Sequence, residues 1–393
     1  MVVASSNRGL AVRTLHSQGG LDHLLYNTTG LLDLSAEQRC KISLEFLARS
    51  VRAHFDGCPG YRRLCDAEHF DPRQLACYED LARIPLVPSV SFKRRMMRSV
   101  PEERIVKLCV SSGTQGSRSS VPRDHTTLER FLACTGVLVD ELLEPSDYAY
   151  LFNLGPDAEA AGDLWLAYVL GAMELRFESS HYVRDGRLRL KELEQGLRAG
   201  EGRRQCILVG PPILFLHLLE YLEERGTRID LGATQSFVVT AGGWKRFSGS
   251  AIPRDEFSER VSESLGLDAS SVRDAYNMVE LNTVLLECDH RQKHVPPWLV
   301  ASARDASTLD PLPEGHEGLL AFLDSTADSY PGFVLSDDFG GVRTDPCVCG
   351  RTAPRVHFAR RVESAEARGC ALKMDRDVVV DTGDNGGADA VRE

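Results

Sequence analysis

Apolar residues along the chain follow two alternating patterns. Spacing of three and four residues, typical of amphipathic helices, predicts helices over residues 37–54, 125–143, 163–175 and 212–226. Short apolar runs predict strands over residues 104–110, 148–155, 205–212, 235–243 and 282–288. Strands that alternate with helices favour an α/β fold with mixed or parallel sheets flanked by helices. Ligands of such folds bind in loops at the carboxyl ends of the strands.

The pattern changes near residue 317. Residues 317–324 and 332–338 form shorter apolar runs, which predict further strands. Residues 375–393 are rich in glycine and aspartate, so we expect them to fray.

Composition and charge narrow the classes of function. With 42% hydrophobic and 26% charged residues over 393 positions, the chain is typical of a globular protein with a large domain and a smaller appendage. Its 57 acidic and 46 basic residues give a net charge of -11, which disfavours a broad nucleic-acid surface. The sequence shows neither a signal peptide nor a run of about 18 apolar residues, so we expect a soluble cytoplasmic protein without a membrane partner.

A polar loop follows the predicted strand at residues 104–110. Its glycines let backbone N–H groups converge on an anion, while its hydroxyls and one cation could add hydrogen bonds. The candidate residues are Ser111, Ser112, Gly113, Thr114, Gly116 and Arg118. The chain has no Walker loop and no G-x-S-x-G serine elbow, and a plain polar loop would have the same composition.

The string "SSGTQGSRS" resembles the phosphate loop of adenylate-forming enzymes, the acyl-CoA synthetase and luciferase superfamily. Further blocks, "NLGPD", "TAGGWK", "VELNT", "KHVPPW", "SYPGFVLSDDFG" and "RRVESAEARGCAL", resemble in order those of LuxE-type acyl-protein synthetases, the long-chain-fatty-acid ligases of bacterial bioluminescence. The resemblance covers roughly Glu68 to Met374. It implies ATP-dependent activation of a carboxylic acid as an acyl-adenylate, release of pyrophosphate, and transfer of the acyl group to an enzyme cysteine.

The same resemblance implies the domain organisation. Residues 1–345 would form the large adenylation domain, and residues 346–374 a truncated C-terminal segment with the hinge and the acceptor cysteine. Residues 375–393 would be a disordered tail. Too few residues follow Gly369 for the superfamily's full mobile domain.

Two motifs of the resemblance would bind nucleotide. Tyr276 would stack on adenine and Glu280 would hold Mg²⁺, while Asn277 and Asn282 are weaker candidates. Asp338 matches the aspartate that accepts hydrogen bonds from the ribose hydroxyls, and the neighbouring Asp337 is the alternative. A buried tyrosine and acidic turn residues would explain the same strings without a ligand.

Other positions would line the same site. Gly242 and Gly243 would let the chain approach a flat ligand, and Lys245 would contact a carboxylate or phosphate unless it is a surface lysine. Arg361 would contact ribose or phosphate at the hinge.

Cys370 matches the acyl-accepting cysteine of the resembled family. It lies between Arg368 and Lys373, where positive charge favours the thiolate. The alternative is a structural cysteine in "GCALKM".

Four other side chains offer zinc ligands. Three thiolates and one imidazole form a closed tetrahedral Zn²⁺ set, and the candidates are Cys288, His294, Cys347 and Cys349. His290 could replace His294, and four unrelated residues are the alternative interpretation.

Three functions remain open at this stage. The chain could activate a fatty or aryl acid and acylate itself for an acyl reductase or another acceptor. It could instead stop at adenylation and pass the acid to an external nucleophile in a natural-product pathway, or be an inactive binding subunit of a reductase complex. The sequence does not define the oligomeric state.

Overall fold

A computed structural model describes residues 20–112, 118–156, 161–243 and 251–361. The helices of these ranges are α1 (Leu21–Asn27), α2 (Ala36–Gly57), α3 (Pro59–Ala67), α4 (Ser91–Arg94), α5 (His125–Leu143), α6 (Trp165–Gly171), α7 (Leu190–Gly200), α8 (Pro212–Glu224) and α9 (Arg254–Leu265). The strands are β1 (Val87–Pro88), β2 (Ile105–Val110), β3 (Ser120–Asp124), β4 (Tyr150–Pro156), β5 (Glu178–Arg184), β6 (Arg187–Leu188), β7 (Cys206–Gly210), β8 (Phe237–Ala241), β9 (Val272–Tyr276), β10 (Leu285–Leu286), β11 (Lys293–His294), β12 (Leu299–Arg304), β13 (Glu317–Asp324), β14 (Phe333–Arg343) and β15 (Arg355–Arg361).

The larger sheet follows the order β10-β9-β8-β7-β4-β5-β6. Its central strands β9, β8, β7, β4 and β5 run parallel, and the edge strands β10 and β6 are antiparallel to their neighbours. β7 and β8 are buried along their whole length, which explains their continuous apolar runs. The α/β prediction is therefore confirmed.

The second sheet follows the order β11-β15-β14-β13-β12, with antiparallel pairing throughout that path. β1 adds to β14 in parallel. A separate hairpin of β2 and β3 carries the polar loop between its strands. The carboxyl ends of the larger sheet, this hairpin and β14 together position the candidate site.

Helix boundaries follow local capping chemistry. α5 spans the predicted residues, and the Asp124 carboxylate accepts a hydrogen bond from the Thr127 amide at its start. α2 begins with a capping box in which Ser35 and Gln38 bond reciprocally. These two predicted helices are confirmed.

Two predicted elements differ from the structure. The helix predicted over residues 163–175 is α6 followed by the 3₁₀ turn Ala172–Leu175. The strand predicted over residues 282–288 is reduced to β10, because the Asn277 amide binds the carbonyls of Leu281 and Thr283 and fixes a turn before it.

Strands β5 and β15 are among those that the apolar pattern did not predict, because charged residues interrupt it. β15 belongs to the predicted C-terminal segment and pairs with β14. Residues 362–393 of that segment and tail lie outside the described ranges. None of the helices described combines the length and apolar character that crossing a membrane requires.

Candidate active site

Strands β8 and β9, which are neighbours in the larger sheet, end beside the candidate site. β8 ends at Ala241 and continues into Gly242 and Gly243, whose φ angles are +85° and +60°. A Cβ on Gly242 would also come within 3.0 Å of the Leu166 side chain, so the positive φ favours glycine there and little room is left for a side chain. The predicted Lys245 lies outside the described residues.

The β2–β3 hairpin closes the neck of the polar loop. The Ser111 amide donates to the Ser119 carbonyl at 3.0 Å, and the Ser119 amide donates to the Ser111 hydroxyl at 3.1 Å. Ser112 lies at the same neck, and Arg118 is exposed beyond it. The predicted Gly113, Thr114 and Gly116 lie outside the described residues, so their role stays a prediction.

Glu280 lies buried against this neck, with an exposed fraction of 4%. Burial raises the pKa of its carboxyl group, while a hydrogen bond from the Ser119 side chain and the charge of Lys93 act in the opposite direction. The neck of the loop and the predicted magnesium ligand are therefore in direct contact.

Tyr276 and Asp338 contact each other directly. The Tyr276 hydroxyl donates to Asp338 Oδ2 at 2.7 Å, and its ring stacks on Phe358 with centroids 3.9 Å apart. Burial raises the pKa of the Asp338 carboxyl, an effect that the hydrogen bond from Tyr276 opposes. Glu280 is close enough to contribute to the raised pKa of Tyr276, after burial and Asp338. Tyr276 and Asp338 thus lie together with Glu280 near them, while their predicted contacts with nucleotide stay predictions.

The hinge arginine reaches the neighbouring carboxylate. Arg361 lies across from Asp338 in the β14–β15 pairing, and its guanidinium is 4.0 Å from Asp337. Its side chain is 70% exposed, so it is available to a ligand. Asp338 faces Tyr276, whereas Asp337 faces Arg361. The two candidates for the ribose-binding aspartate therefore have different neighbours.

Asn277 and Asn282 hold the surrounding turns. Asn277 Oδ1 accepts a hydrogen bond from Trp165 Nε1 at 2.5 Å. Asn282 Nδ2 donates to the Thr127 carbonyl at 2.9 Å. Their predicted contact with nucleotide stays a prediction.

Sequence reasoning missed Arg123. It is fully buried, and its guanidinium lies 3.6 Å from the centroid of the Trp165 ring. It donates to the Val279 carbonyl at 2.7 Å and to Asn282 Oδ1 at 3.3 Å, so it holds the chain on both sides of Glu280. The only signal was its position in the block "SSGTQGSRSSVPRD".

The four predicted zinc ligands come together at a different place. Ligand atoms of Cys288, His294, Cys347 and Cys349 all lie within 4.8 Å of one another. His290 is exposed and bonds to Asp289 instead. The acceptor candidate Cys370 lies outside the described residues.

Comparison with known families decides the class of protein. The profile described as "Acyl-protein synthetase, LuxE" matches residues 10–379. The chain belongs to the LuxE acyl-protein synthetase family. The family resemblance inferred from the ordered sequence blocks is therefore confirmed.

Individual relatives of this family member are named as carboxylic-acid ligases. The long-chain-fatty-acid–luciferin-component ligase of Vibrio harveyi is 30% identical over 87% of this chain and 89% of its own length. The corresponding ligase of Aliivibrio fischeri is 29% identical over 90% of this chain and 93% of its own length. A phenylacetate-coenzyme A ligase of Thermus thermophilus is 25% identical over 82% of this chain and 70% of its own length.

Solved structures share the fold of this family member. An open 2-hydroxyisobutyryl-CoA ligase in complex with 2-HIB-AMP and CoA aligns with a TM-score of 0.66 at 18% identity. The alignment covers 84% of this chain and 72% of that chain. The family and the ligase relatives support an acid-activating ligase of the adenylate-forming kind, and the solved structure supports its fold.

Proposed function

We propose that this protein activates a carboxylic acid with ATP and then transfers the acyl group to its own Cys370. The observation that carries the first half is the meeting of the loop neck and Glu280 with the bonded pair of Tyr276 and Asp338. A nucleoside triphosphate needs an anion cradle, a carboxylate for Mg²⁺ and groups for the nucleoside, and in this proposal the polar loop, Glu280 and the pair of Tyr276 and Asp338 would supply them.

In the proposed adenylation, a carboxylate oxygen of the acid attacks the α-phosphorus of ATP. The bond between that phosphorus and the bridging oxygen breaks, and pyrophosphate leaves with the bond electrons. A bound Mg²⁺ would neutralise phosphate charge, and Glu280 would hold it. Glu280 suits this role because a cation would stabilise the charged carboxylate that burial disfavours.

The nucleoside would bind at the other end of the site. Asp338 would accept hydrogen bonds from ribose hydroxyls, and the exposed Arg361 would contact ribose or phosphate. Tyr276 would stack on the purine, with its hydroxyl already anchored to Asp338 at 2.7 Å and its ring to Phe358. Because Gly242 and Gly243 have no side chains, they would let a flat ring approach the backbone closely.

In the proposed transfer, the Cys370 thiolate attacks the carbonyl carbon of the acyl-adenylate. A carbon–sulfur bond forms, the carbon–oxygen bond to phosphate breaks, and AMP leaves. The thiol proton goes to solvent before the attack, and the positive charges of Arg368 and Lys373 in the sequence favour that loss.

The acid that we propose is apolar. A cavity lies between α5 and the larger sheet, and Val209, Val239, Ala241 and Ala275 line it near the carboxyl ends of β7, β8 and β9. Tyr276 and Gly242 follow directly in the chain. The cavity holds about 30 Å³, less than an apolar chain or ring occupies, so its walls would have to move apart before an acid could enter and carry its carboxylate toward the proposed nucleotide site.

The resulting thioester would serve an acyl reductase or another acceptor. The fatty-acid ligases of the two Vibrio-type relatives favour a fatty acid over an aryl acid for this chain. The adenylation-only function in a natural-product pathway remains the second candidate, because the phenylacetate ligase relative is named for an aryl acid.

Pyrophosphate exchange and intact-protein mass spectrometry test both halves. The protein is incubated with ATP, Mg²⁺ and a panel of fatty and aryl acids, and compared with Cys370→Ala. Cys77→Ala is the matched control, because Cys77 is exposed and lies apart from the proposed site. We expect acid-dependent exchange in all three proteins and an ATP-dependent acyl adduct that only Cys370→Ala lacks.

Other outcomes would overturn defined parts of this proposal. Exchange without an adduct would remove self-acylation and leave an adenylation-only enzyme. An adduct that survives in Cys370→Ala would assign the acceptor elsewhere. The absence of both exchange and ATP binding with every acid would contradict adenylation and favour the inactive binding subunit.

A further inference from the structure

The compact cysteine and histidine cluster lies where the two large sheets meet. Cys288 follows β10 of the larger sheet, and His294 lies in β11 of the second sheet. Cys347 and Cys349 lie in the connection between β14 and β15. The cluster therefore brings together three separate stretches of backbone.

The spacing of the ligand atoms is that of a tetrahedral metal site. The sulfurs of Cys288 and Cys347 are 4.0 Å apart, and the Cys349 sulfur is 3.3 Å from His294 Nε2. With Zn–S near 2.3 Å and Zn–N near 2.0–2.1 Å, a tetrahedral site places two sulfurs about 3.8 Å apart and a sulfur about 3.6 Å from a nitrogen. A disulfide needs a sulfur separation of about 2.05 Å, so the first pair is not one.

The histidine is oriented for coordination. His294 Nδ1 lies 3.3 Å from the Ala353 carbonyl, which can only accept, so this nitrogen carries the proton. The Nε2 lone pair then faces the Cys349 sulfur. A metal-bound histidine usually donates its second ring nitrogen to a carbonyl or carboxylate in this manner.

The backbone around the cysteines is also preformed. The Cys288 amide donates to the Gln292 carbonyl at 2.9 Å and closes the turn that leads to His294. The Gly350 amide donates to the Cys347 carbonyl at 2.9 Å, and Gly350 adopts a φ of +88°. These hydrogen bonds fix the two turns whose thiols lie in the cluster.

Packing of four unrelated side chains explains fewer of these contacts than metal binding does. A thiol that donates to His294 Nε2 would account for one contact, but it would leave the sulfurs of Cys288 and Cys347 facing each other. Cys288 and His294 have no exposed surface, and Cys347 is 5% exposed. Among the residues that the structure describes, this is the one group of His, Cys, Asp or Glu side chains compact enough to hold a metal ion.

We infer that these four residues bind one structural Zn²⁺. Three thiolates and one imidazole suit zinc, and four protein ligands leave no coordination position for a substrate. Binding releases the thiol protons to solvent, so the ion is held by charged sulfurs. The ion fastens the end of β10 to β11 and to the β14–β15 connection, and thus joins the two sheets independently of the proposed acyl transfer.

Metal analysis of the purified full chain tests this inference without any activity assay. We expect one zinc per chain in the wild type and in Cys206→Ser, which changes a fully buried thiol of β7 outside the cluster. Cys347→Ser and His294→Ala should lose zinc by roughly tenfold or more, whereas His294→Cys should retain it by supplying a fourth thiolate.

Cobalt substitution provides a second readout. It uses only the wild-type protein, so its result does not depend on whether the variants fold. The wild-type protein is stripped of metal, refilled with Co²⁺ and examined for the visible bands of a tetrahedral thiolate site. Chelation should also lower the midpoint of thermal unfolding, and added Zn²⁺ should restore it. A wild-type protein that neither contains zinc nor takes up Zn²⁺ or Co²⁺ would overturn the inference, as would equal zinc content in all variants.

Discussion

At the scale of single residues, Arg123 links the fold to the proposed chemistry. The described hydrogen-bond acceptors of this buried cation are neutral: the Val279 carbonyl, the Asn282 amide and the Tyr330 hydroxyl. Because Val279 and Asn282 flank Glu280, the guanidinium fixes the backbone that carries the proposed magnesium ligand. Arg123 is therefore a positioning residue.

Arg123→Lys should lower the rate of pyrophosphate exchange by roughly tenfold or more, because an ammonium group cannot reproduce the forked contacts. The Mg²⁺ concentration needed for half-maximal exchange should rise, which a general loss of stability would not cause. Arg304→Lys is the matched control, since Arg304, at the end of β12, is also buried and donates to the carbonyls of Ala82 and Leu309. Equal losses in both variants, with unchanged Mg²⁺ dependence, would contradict the assignment.

The buried His54 should make the folded protein less stable in acid. It is 1% exposed, donates through Nε2 to the Ala327 carbonyl and accepts at Nδ1 from the Ser99 hydroxyl. Burial lowers the pKa of its imidazole to about 4, so between about pH 6.5 and 4 the unfolded chain binds the proton and the folded chain does not. Stability from this residue is therefore present near pH 7 and is lost as the pH falls.

From about pH 7 to about pH 5, His54 should contribute a loss of about 2 kcal/mol to the free energy of unfolding. Urea titrations of the wild type and His54→Gln at both pH values give the loss of unfolding free energy in each protein. The difference between the two losses is the contribution of His54. The variant should lose less stability over that interval. An identical loss in both proteins would show that His54 does not carry it.

At the scale of elements, α5 anchors the N-terminal part of the described chain. The Glu141 carboxylate accepts hydrogen bonds from the Leu31 amide at 2.6 Å and the Leu32 amide at 2.9 Å. Leu31 and Leu32 have no exposed surface, so their amides depend on this partner. One carboxylate thereby ties the first 3₁₀ turn to the helix that lines the apolar cavity.

Glu141→Ala should cost roughly 2–4 kcal/mol, since it leaves two buried amides without an acceptor. Limited proteolysis should cut the variant within residues 20–35 at concentrations of protease that spare the wild type. Glu129→Ala on the same helix is the control, because that side chain is exposed. Equal behaviour of the two variants would contradict the anchoring role.

At the scale of the whole molecule, ion pairs join the two sheets beside the proposed zinc cluster, in addition to the contact of Tyr276 with Asp338. Beside the proposed zinc cluster, Lys293 of β11 lies 2.9 Å from both Asp274 of β9 and Glu287 after β10. Lys293 and Glu287 are buried, so the charge of either is expensive to leave without its partner.

Lys293→Gln should therefore lower the free energy of unfolding by roughly 3 kcal/mol. Lys107→Gln should change it by about 1 kcal/mol or less, because Lys107 pairs with Asp163 at 3.7 Å on a partly exposed surface. Chemical denaturation of both variants measures the contrast. A larger effect at Lys107 than at Lys293 would show that the junction is not a stabilising feature of the fold.

The sequence by itself determined the elements whose signals are local. α5 follows from helical apolar spacing with Asp124 as its cap, and β7 and β8 follow from continuous apolar runs. The family followed from ordered blocks, and the residue types of the proposed site from the same blocks. Such features need only neighbouring residues, so they can be predicted without knowledge of the fold.

Only the tertiary structure decided which distant residues meet. Arg123 and Val279 are 156 positions apart, and no local pattern predicts that one clamps the other. His294 rather than His290 joins the cysteine cluster because β11 pairs with β15 and points that imidazole inward. Asp338 rather than Asp337 bonds to Tyr276 because successive side chains of β14 face opposite sides of the sheet. Contacts between distant residues depend on strand order and register, which long-range packing fixes.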